Sequence, residues 1–438
     1  MTSAQSRLLR SSGNRAWLLT LLMACVLQSC FIFKPRDKPR VVTRPNKEIP
    51  SPKDTAEGKI DTFPPPPRFT FKDVYHISVL LPFSIDDQYI TDFDYRNRTT
   101  PYRSMMALEL YQGMKLALDE LQGSDISFKV NVFDTKNSPG EVKRILTQPE
   151  LLKCDVIIGP LFENSMKLVA DFALRNEIYM LSPLSCLDTT GLPSNPYLIC
   201  ANASFESHIS AIASHVHARY RYSNVLVARR DDPEEARTSE LFTENLRNLN
   251  FWISPKEVVG TSWEMFPPGS FGPDTTIVFC PSLDEVFVNE VTRQLSELDR
   301  GYPVILFGLP GWLTKIESIR FDYLNQLNFH MTSNLWIDES SAHALDLAQR
   351  YREKHGIKPS EVVYRGHDLM TWAAGLMKYC GISFEGHFNE APQPDLFSEF
   401  NILRANNPTD DPDAPVSYYE NLHVPIIRYK NFELVRVN

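Results

Sequence analysis

The 438 residues read as an α/β protein of two lobes, each built on a parallel sheet covered by helices. Three features support this. Short apolar runs bounded by turns suit strands buried on both faces. Amphipathic helices separate those runs, and repeated β-α-β units imply parallel pairing in Rossmann-like lobes. The rhythm also stops and restarts, so the chain crosses between two sets of elements more than once.

The first set opens with a strand at 76–83 (HISVLLPF). A helix at 104–121 follows, with Met106, Leu110, Met114, Ala117, Leu118 and Leu121 at helical spacing. Residues 128–134 alternate as a strand, and Ser138-Pro139 opens a helix as N-cap and first residue. A strand at 154–159, a helix at 163–176 and a strand at 178–182 complete the set. The chain crosses near 196–202. The second set comprises helix 205–220, strand 224–228, helix 234–249, strands 252–259 and 275–280, helix 284–298 and strand 304–308. A second crossing is expected at 327–337, then helices at 341–355 and 362–380. These helices are assigned to the first lobe, which otherwise lacks late elements. The lobes are therefore about 73–200 with 335–390, and about 201–334. The tail from 391 reads as irregular, with strand-like stretches at 423–429 and 432–437, and belongs to neither lobe from sequence.

Two segments precede this body. Residues 1–29 carry Arg7, Arg10 and Arg15, no acid, and an apolar run at 16–27. About 12 residues are too few to span a bilayer and match a secretory leader. The run ends in Leu27-Gln28-Ser29-Cys30, which resembles the bacterial lipobox, where a small residue precedes a Cys that takes a diacylglycerol. Gln28 departs from the usual small or aliphatic residue, and an ordinary leader with a chance Cys is the alternative. Acylation of Cys30 gives stable anchoring without a spanning helix. Phe31, not Asp, follows Cys30, and no acidic run comes next; by analogy with enterobacterial rules this favours a periplasm-facing, outer-membrane location. Residues 31–72 hold nine prolines and ten Lys/Arg against five Asp/Glu. They read as a polyproline-II tether reaching roughly 130 Å when extended. Lys34, Arg36, Lys38 and Arg40 suit contact with anionic headgroups or simply keep the tether soluble.

The remaining body, 73–438, has 32 basic and 49 acidic residues, net −17. That sign argues against a nucleic-acid partner. Hydrophobic residues at 43 % and charged residues at 23 % exclude a wholly disordered chain and a multi-span membrane protein. There is no Walker loop, HExxH, GxSxG or CxxC, so no catalytic residue, cofactor or metal is assigned. His208, His215 and His217 share one helix, but no acidic or Cys partner completes a metal site. Cys154, Cys200 and Cys280 lie in strand patterns and read as small buried hydrophobes. Cys186–Cys200 is the pair worth testing as a disulfide. Trp263, Trp312 and Trp336 suit either stacking on a ligand or core packing.

Several stretches, in order, resemble the type I periplasmic-binding-protein fold over about 75–382. They are Glu109 to Leu121 (ELYQGMKLALDEL), Val132-Phe133-Asp134-Thr135, Asp155-Val-Ile-Ile-Gly159-Pro160-Leu161, Leu181-Ser182-Pro183-Leu184-Ser185, and Arg352 to Pro359 followed by Arg365-Gly366-His367-Asp368 and Gly381. The resemblance is to divergent lipoproteins of Bacteroidetes-type bacteria, related in fold to branched-chain amino-acid-binding proteins and to penicillin-binding-protein activator lipoproteins. It implies that Gly113 and Ala117 pack close to the sheet, and that a ligand is held in the interlobe cleft by Ser/Thr and backbone groups. Matched residue by residue, the clasp falls on Glu163, Asn164 and Ser165, on Ser185, and on Arg230 and Asp231. Ser84 and Ser282, at strand ends, complete the candidate cleft. The chain departs from the family at three places. Glu163 stands near a usual hydroxyl, Cys186 near a usual Thr, and Arg229 to Glu234 (RRDDPE) lacks the usual Tyr-Gly. Glu163 at a helix start either satisfies the free N–H donors there or is simply a helix-start charge. A changed ligand class and loss of small-ligand binding both fit these departures. The expected function is binding of a small polar ligand without chemistry by a protein lipid-anchored to a membrane. The alternative is a scaffold or regulator that contacts an envelope protein complex, such as cell-wall synthesis or secretion machinery.

Overall fold

The strand Val74–Leu81 (β1) sets the architecture. Tyr75, Ile77, Val79 and Leu81 enter one apolar layer and Leu80 the other, all fully buried. A strand covered on both faces needs apolar residues at successive positions, which the run Val79-Leu80-Leu81 meets, while His76 and the buried Ser78 interrupt the second face earlier in the strand. The computed structural model describes residues 69–84, 99–184, 194–260, 265–266, 269–298, 301–393, 396–405 and 415–437.

After β1 come Thr99–Glu120 (α1), Ser127–Asp134 (β2), Pro139–Ile145 (α2), Pro149–Leu152 (α3), Val156–Ile158 (β3), Met166–Asn176 (α4), Tyr179–Ser182 (β4) and Leu198–Cys200 (β5). Ser138 caps α2, its hydroxyl accepting the Glu141 N–H at 3.4 Å, and Pro139 fills the first helical position. A second series follows: Phe205–Arg219 (α5), Asn224–Arg229 (β6), Pro233–Asn248 (α6), Lys256–Val259 (β7), Thr276–Cys280 (β8), Glu285–Leu298 (α7) and Val304–Gly308 (β9). Then come Trp312–Lys315 (α8), Phe321–Gln326 (α9), His330–Thr332 (β10), Ala342–His355 (α10) and Glu361–Cys380 (α11). The chain ends with Ile402–Arg404 (β11), Tyr419–Asn421 (β12), Ile426–Lys430 (β13) and Glu433–Arg436 (β14).

Two seven-stranded sheets result. The first has the order β11-β12-β5-β4-β3-β1-β2 and the second β14-β13-β10-β9-β8-β6-β7. Both are parallel through their centres. Among the described residues antiparallel pairs occur only where the tail joins: β11 on β12, β13 on β10 and β14 on β13. The tail expected to be irregular therefore finishes both sheets. Its first two strands have three residues each, too short for alternation to show in a sequence. The same brevity hides β5 and β10 inside the stretches expected as crossings. The strand expected at 252–259 begins only at Lys256, because Pro255 has no N–H to give a ladder. The helix expected at 163–176 opens as a 3₁₀ turn, Glu163–Ser165, so α4 starts at Met166.

Helices α1 and α11 cross at a pair of glycines. A Cβ on Gly113 would lie 1.9 Å from the Val363 carbonyl oxygen, and one on Gly366 would lie 2.0 Å from that of Leu110. Gly113 thus packs against α11 and not against the sheet, as the family resemblance implied; Ala117 is buried in the apolar layer beneath. The described residues fall in one compact unit, Pro67–Asn438, which holds every core cluster among them. No helix among them is long and apolar enough to cross a membrane.

Candidate functional site

The chain leaves a sheet three times, always at a carboxyl edge. Residues 201–204 follow β5, 333–341 follow β10 and 422–425 follow β12. The last crossing re-enters as β13, whose first residue, Ile426, pairs with Thr332 at the carboxyl end of β10. The carboxyl edges of both parallel sheets therefore meet the three crossings, where open parallel sheets place ligands.

A buried polar network ties the crossings together. The Glu420 carboxylate accepts the Ser204 N–H at 3.0 Å, the Ser204 hydroxyl at 3.3 Å and the Ser207 hydroxyl at 2.5 Å. It thereby caps α5 from a residue more than two hundred positions away. Asn334 Oδ1 accepts the Ala203 N–H at 3.2 Å and meets His208 Nε2 at 3.0 Å. Oδ1 only accepts, so His208 donates from Nε2 and its buried Nδ1 carries a lone pair with no partner. Burial lowers the His208 pKa to about 4, against the opposing hydrogen bond to Asn334. The Asn334 carbonyl accepts from Arg365 on α11 at 2.7 Å. Arg365 is buried, its guanidinium 5.8 Å from the Phe400 ring centre, and desolvation lowers its pKa. Neither Asn334 nor Glu420 announces itself in the sequence, because their partners lie far away along the chain.

The candidate residues of the first sheet gather at its carboxyl edge. Ser84 follows β1 with φ +56°, and its N–H donates to Asp134 Oδ1 at 2.9 Å. Beyond β3, Gly159 has φ +109°, and a Cβ there would sit 2.2 Å from the Leu80 carbonyl oxygen, so only glycine fits. Asn164 donates to the Asn137 carbonyl at 3.0 Å and to its Oδ1 at 2.9 Å. Glu163 is exposed and its carboxylate forms no hydrogen bond or ion pair among the described residues, so it does not satisfy the helix-start donors. Ser165 is buried, its hydroxyl without a partner. Arg103, Asn137, Phe162, Glu163 and Asn164 line a cavity of about 320 Å³, with the Arg103 guanidinium 5.2 Å from the Phe162 ring centre. Arg103 and Asn137 join the site without having been expected; the Lys136-Asn137 turn before Ser-Pro is the one local signal. Ser185 and Cys30 lie outside the described residues.

The second sheet's candidates are bound among themselves. Arg230, just past β6, receives both Glu235 oxygens, at its N–H and its Nε, each at 2.7 Å, and reaches Asp284 at 3.1 Å. The Glu235 hydrogen bond raises its pKa. Asp231 beside it is exposed. Ser282 is fully buried: its hydroxyl accepts the Asp284 N–H at 3.1 Å and its carbonyl accepts Trp312 Nε1–H at 2.8 Å. Trp312 is itself core, stacked on Phe329 at 5.1 Å, whereas Trp263 lies outside the described residues. A larger cavity, about 810 Å³, runs along α7 between Arg230, Phe287, Arg293 and Tyr323.

His215 faces His330 at 5.8 Å in an aromatic cluster with Phe307 and Tyr220. Burial lowers the pKa of each, to about 4 and about 3. Among the described residues no three His, Cys, Asp or Glu side chains converge on a metal position. Cys154, Cys200, Cys280 and Cys380 are free, buried thiols, and Cys186 lies outside the described residues.

No family model and no curated protein matches the sequence. Solved structures do match its fold. A branched-chain amino acid ABC transporter periplasmic ligand-binding protein from Burkholderia xenovorans LB400 aligns with TM-score 0.56 and 11 % identity, over 83 % of this chain and 94 % of its own. An ABC transporter substrate-binding protein from Desulfitobacterium hafniense aligns with TM-score 0.51 and 12 % identity, over 83 % of this chain and all of its own. Full-length LpoA from Haemophilus influenzae aligns with TM-score 0.52 and 15 % identity, over 84 % of this chain. This chain spans 60 % of LpoA. With two seven-stranded α/β sheets joined by three crossings, this chain has the type I periplasmic-binding-protein fold.

Proposed function

We propose that the protein is an envelope lipoprotein that binds a small polar ligand between its sheets without chemical change. One observation carries this reading. The cavity at the carboxyl edge of the first sheet joins a cation, Arg103, an anion, Glu163, two amides, Asn137 and Asn164, and an aromatic face, Phe162. Opposite charges beside hydrogen-bonding amides suit a zwitterionic or mixed-charge molecule. Ser84 lies at the same edge, and Asp231 is an exposed carboxylate at the carboxyl edge of the other sheet, whereas Ser165 and Ser282 are buried and Arg230 is held by Glu235 and Asp284. Cys30 carries the lipid anchor, and the domain faces the periplasm from the outer membrane on a tether that ends short of residue 72, because Phe69 packs on the core, Thr70 bridges Gly381 and Lys72 pairs with Asp155.

Thermal shift and titration calorimetry against pools of amino acids, short peptides and nucleosides test the ligand. At a hundred times the Kd, a true ligand stabilises by about 2.7 kcal/mol. Arg103→Gln with Glu163→Gln removes the effect if the reading holds. Labelling with radioactive palmitate tests the anchor, and incorporation disappears in Cys30→Ala.

A second reading is favoured by Arg230, whose hydrogen bonds are already taken by Glu235 and Asp284. If no pool gives heat, and cross-linking captures one stoichiometric envelope protein, the domain is a scaffold or regulator of a cell-envelope complex.

A further inference from the structure

The amino edge of the second sheet, away from the crossings, carries an exposed aromatic pair. Tyr222, between α5 and β6, is 75 % exposed, and Trp252, between α6 and β7, is 71 % exposed. Their ring centres lie 6.3 Å apart at 52°. Four exposed cations share this corner: Arg219 and Arg221 precede Tyr222 in the chain, Arg247 lies in the last turn of α6 and Lys256 opens β7. None of the four is in an ion pair among the described residues. The nearest acids along the chain, Glu244 on α6 and Glu257 beside Lys256, are not paired with them either: Glu257 holds Arg229. Elsewhere on this body, arginines such as Arg144, Arg229, Arg230, Arg293, Arg350 and Arg436 each hold a carboxylate. A chain with 49 acids and 32 bases from residue 73 onward has abundant carboxylates to neutralise this corner and leaves it positive.

We propose that this corner is a contact site for an anionic phospholipid bilayer surface. Unpaired Arg and Lys attract anionic headgroups within a Debye length. Trp and Tyr have apolar bodies with polar tips and settle at the level of the headgroups. Long cationic stems cover apolar surface while their charges stay in water. The contact is independent of the ligand reading and of any anchor at Cys30.

The test uses the compact unit Pro67–Asn438, which lacks the leader and residues 31–66 of the basic tether. Vesicles of phosphatidylglycerol with phosphatidylcholine are compared with phosphatidylcholine alone at low salt. Co-sedimentation with the anionic vesicles only is expected, with a blue shift of Trp emission and quenching by brominated acyl chains. Both optical signals should vanish in Trp252→Ser, and Tyr222→Ser should weaken sedimentation. Arg221→Gln and Lys256→Gln should each weaken binding about five-fold, and binding should fall as salt rises. Circular dichroism of each variant confirms its fold, since all these side chains are exposed. No sedimentation of the wild-type unit with anionic vesicles overturns the proposal. So does sedimentation unchanged in a folded Tyr222→Ser/Trp252→Ser variant. Binding of poly-glutamate with a Trp252 emission shift, but not of vesicles, also overturns it and assigns the corner to an acidic protein.

Discussion

The crossing of α1 and α11 allows a test in which backbone propensity and packing predict opposite signs. Gly366→Ala replaces the poorest ordinary helix former with the best, a gain of about 1 kcal/mol in an open helix. Its Cβ would lie 2.0 Å from the Leu110 carbonyl oxygen, whereas real Cβ atoms essentially never come within 3.0 Å of another heavy atom. The obstacle is backbone, so no side chain can rotate away, and the helices must part by roughly 1 Å. Overpacking of this kind costs about 1–3 kcal/mol, and a main-chain collision belongs at or above the upper end. The net effect is a loss of about 2 kcal/mol. Gly375, nine residues on in the same helix, is the control. Its nearest neighbour would be the Pro392 carbonyl oxygen at 3.8 Å, an ordinary contact. Gly375→Ala should therefore stabilise by up to about 1 kcal/mol. Urea unfolding of both variants at pH 7 reads the difference. A domain of 150–250 residues shifts roughly 2–4 °C in Tm per kcal/mol, and this larger unit shifts less, so Gly366→Ala should melt roughly 3 °C low. If Gly366→Ala is neutral or stabilising while Gly375→Ala behaves as expected, the close crossing of α1 and α11 is wrong.

Three buried histidines make stability depend on pH. His208, His215 and His330 have pKa values lowered by burial to about 4, about 4 and about 3, from 6.5 in an open chain. Below pH 6.5 the unfolded chain takes up protons that the folded protein refuses, so stability falls as the pH drops from 6.5 towards 4. At pH 5 each costs about 2 kcal/mol, which a urea series from pH 7 to 5 will show, and His215→Phe should flatten the slope. His367 runs the other way: against burial, the Asp368 carboxylate 3.8 Å from its Nδ1 and the hydrogen bond from its Nε2 to Glu120 raise its pKa, so its contribution is lost as pH climbs past the folded value. Asn334→Ala strips an acceptor from the Ala203 N–H and from His208 Nε2. Two partly or wholly buried donors left unpaired cost about 2–4 kcal/mol together, and the Tm should fall accordingly; an unchanged Tm would mean that water replaces Asn334.

The central strands were readable because their physics is local. β1, β8 and β9 are largely buried on both faces and each holds a run of at least three successive apolar residues, and α1 repeats its apolar stripe every three or four positions. The edge strands β11 and β12 were not readable. Three residues cannot display a period, and they pair only because β5 offers an open edge. The Gly113–Gly366 contact joins residues some 250 positions apart, so neither glycine alone distinguishes a close crossing from a weak spot in a helix. The site divides in the same way. Ser84, Glu163, Asn164 and Arg230 could be placed because each follows a readable strand. Asn137 is reached only through Asn164, and Asn334 and Glu420 act only through partners on other crossings.

The two sheet edges differ in one respect that decides how a ligand would be held. On the second sheet, Arg230 already gives its N–H, Nε and one terminal nitrogen to Glu235 and Asp284. A ligand would have to break those bonds, and Glu235, 5 % exposed, would be left with a buried charge. On the first sheet, among the described residues, the Glu163 carboxylate has no partner to lose and Arg103 leans only on the Phe162 ring. Affinity should therefore come from the first sheet, while Arg230 holds the second sheet's edge together. Arg230→Gln should cost about 1–3 kcal/mol of stability through the orphaned Glu235 carboxylate and leave ligand affinity nearly unchanged. Arg103→Gln should do the reverse: little change in Tm, and weaker binding by about 1.5–3 kcal/mol if a charged hydrogen bond is lost. Both are read by urea unfolding beside titration calorimetry. If Arg230→Gln abolishes binding and Arg103→Gln does not, the ligand enters through the second sheet and the Glu235 contact is only its resting partner.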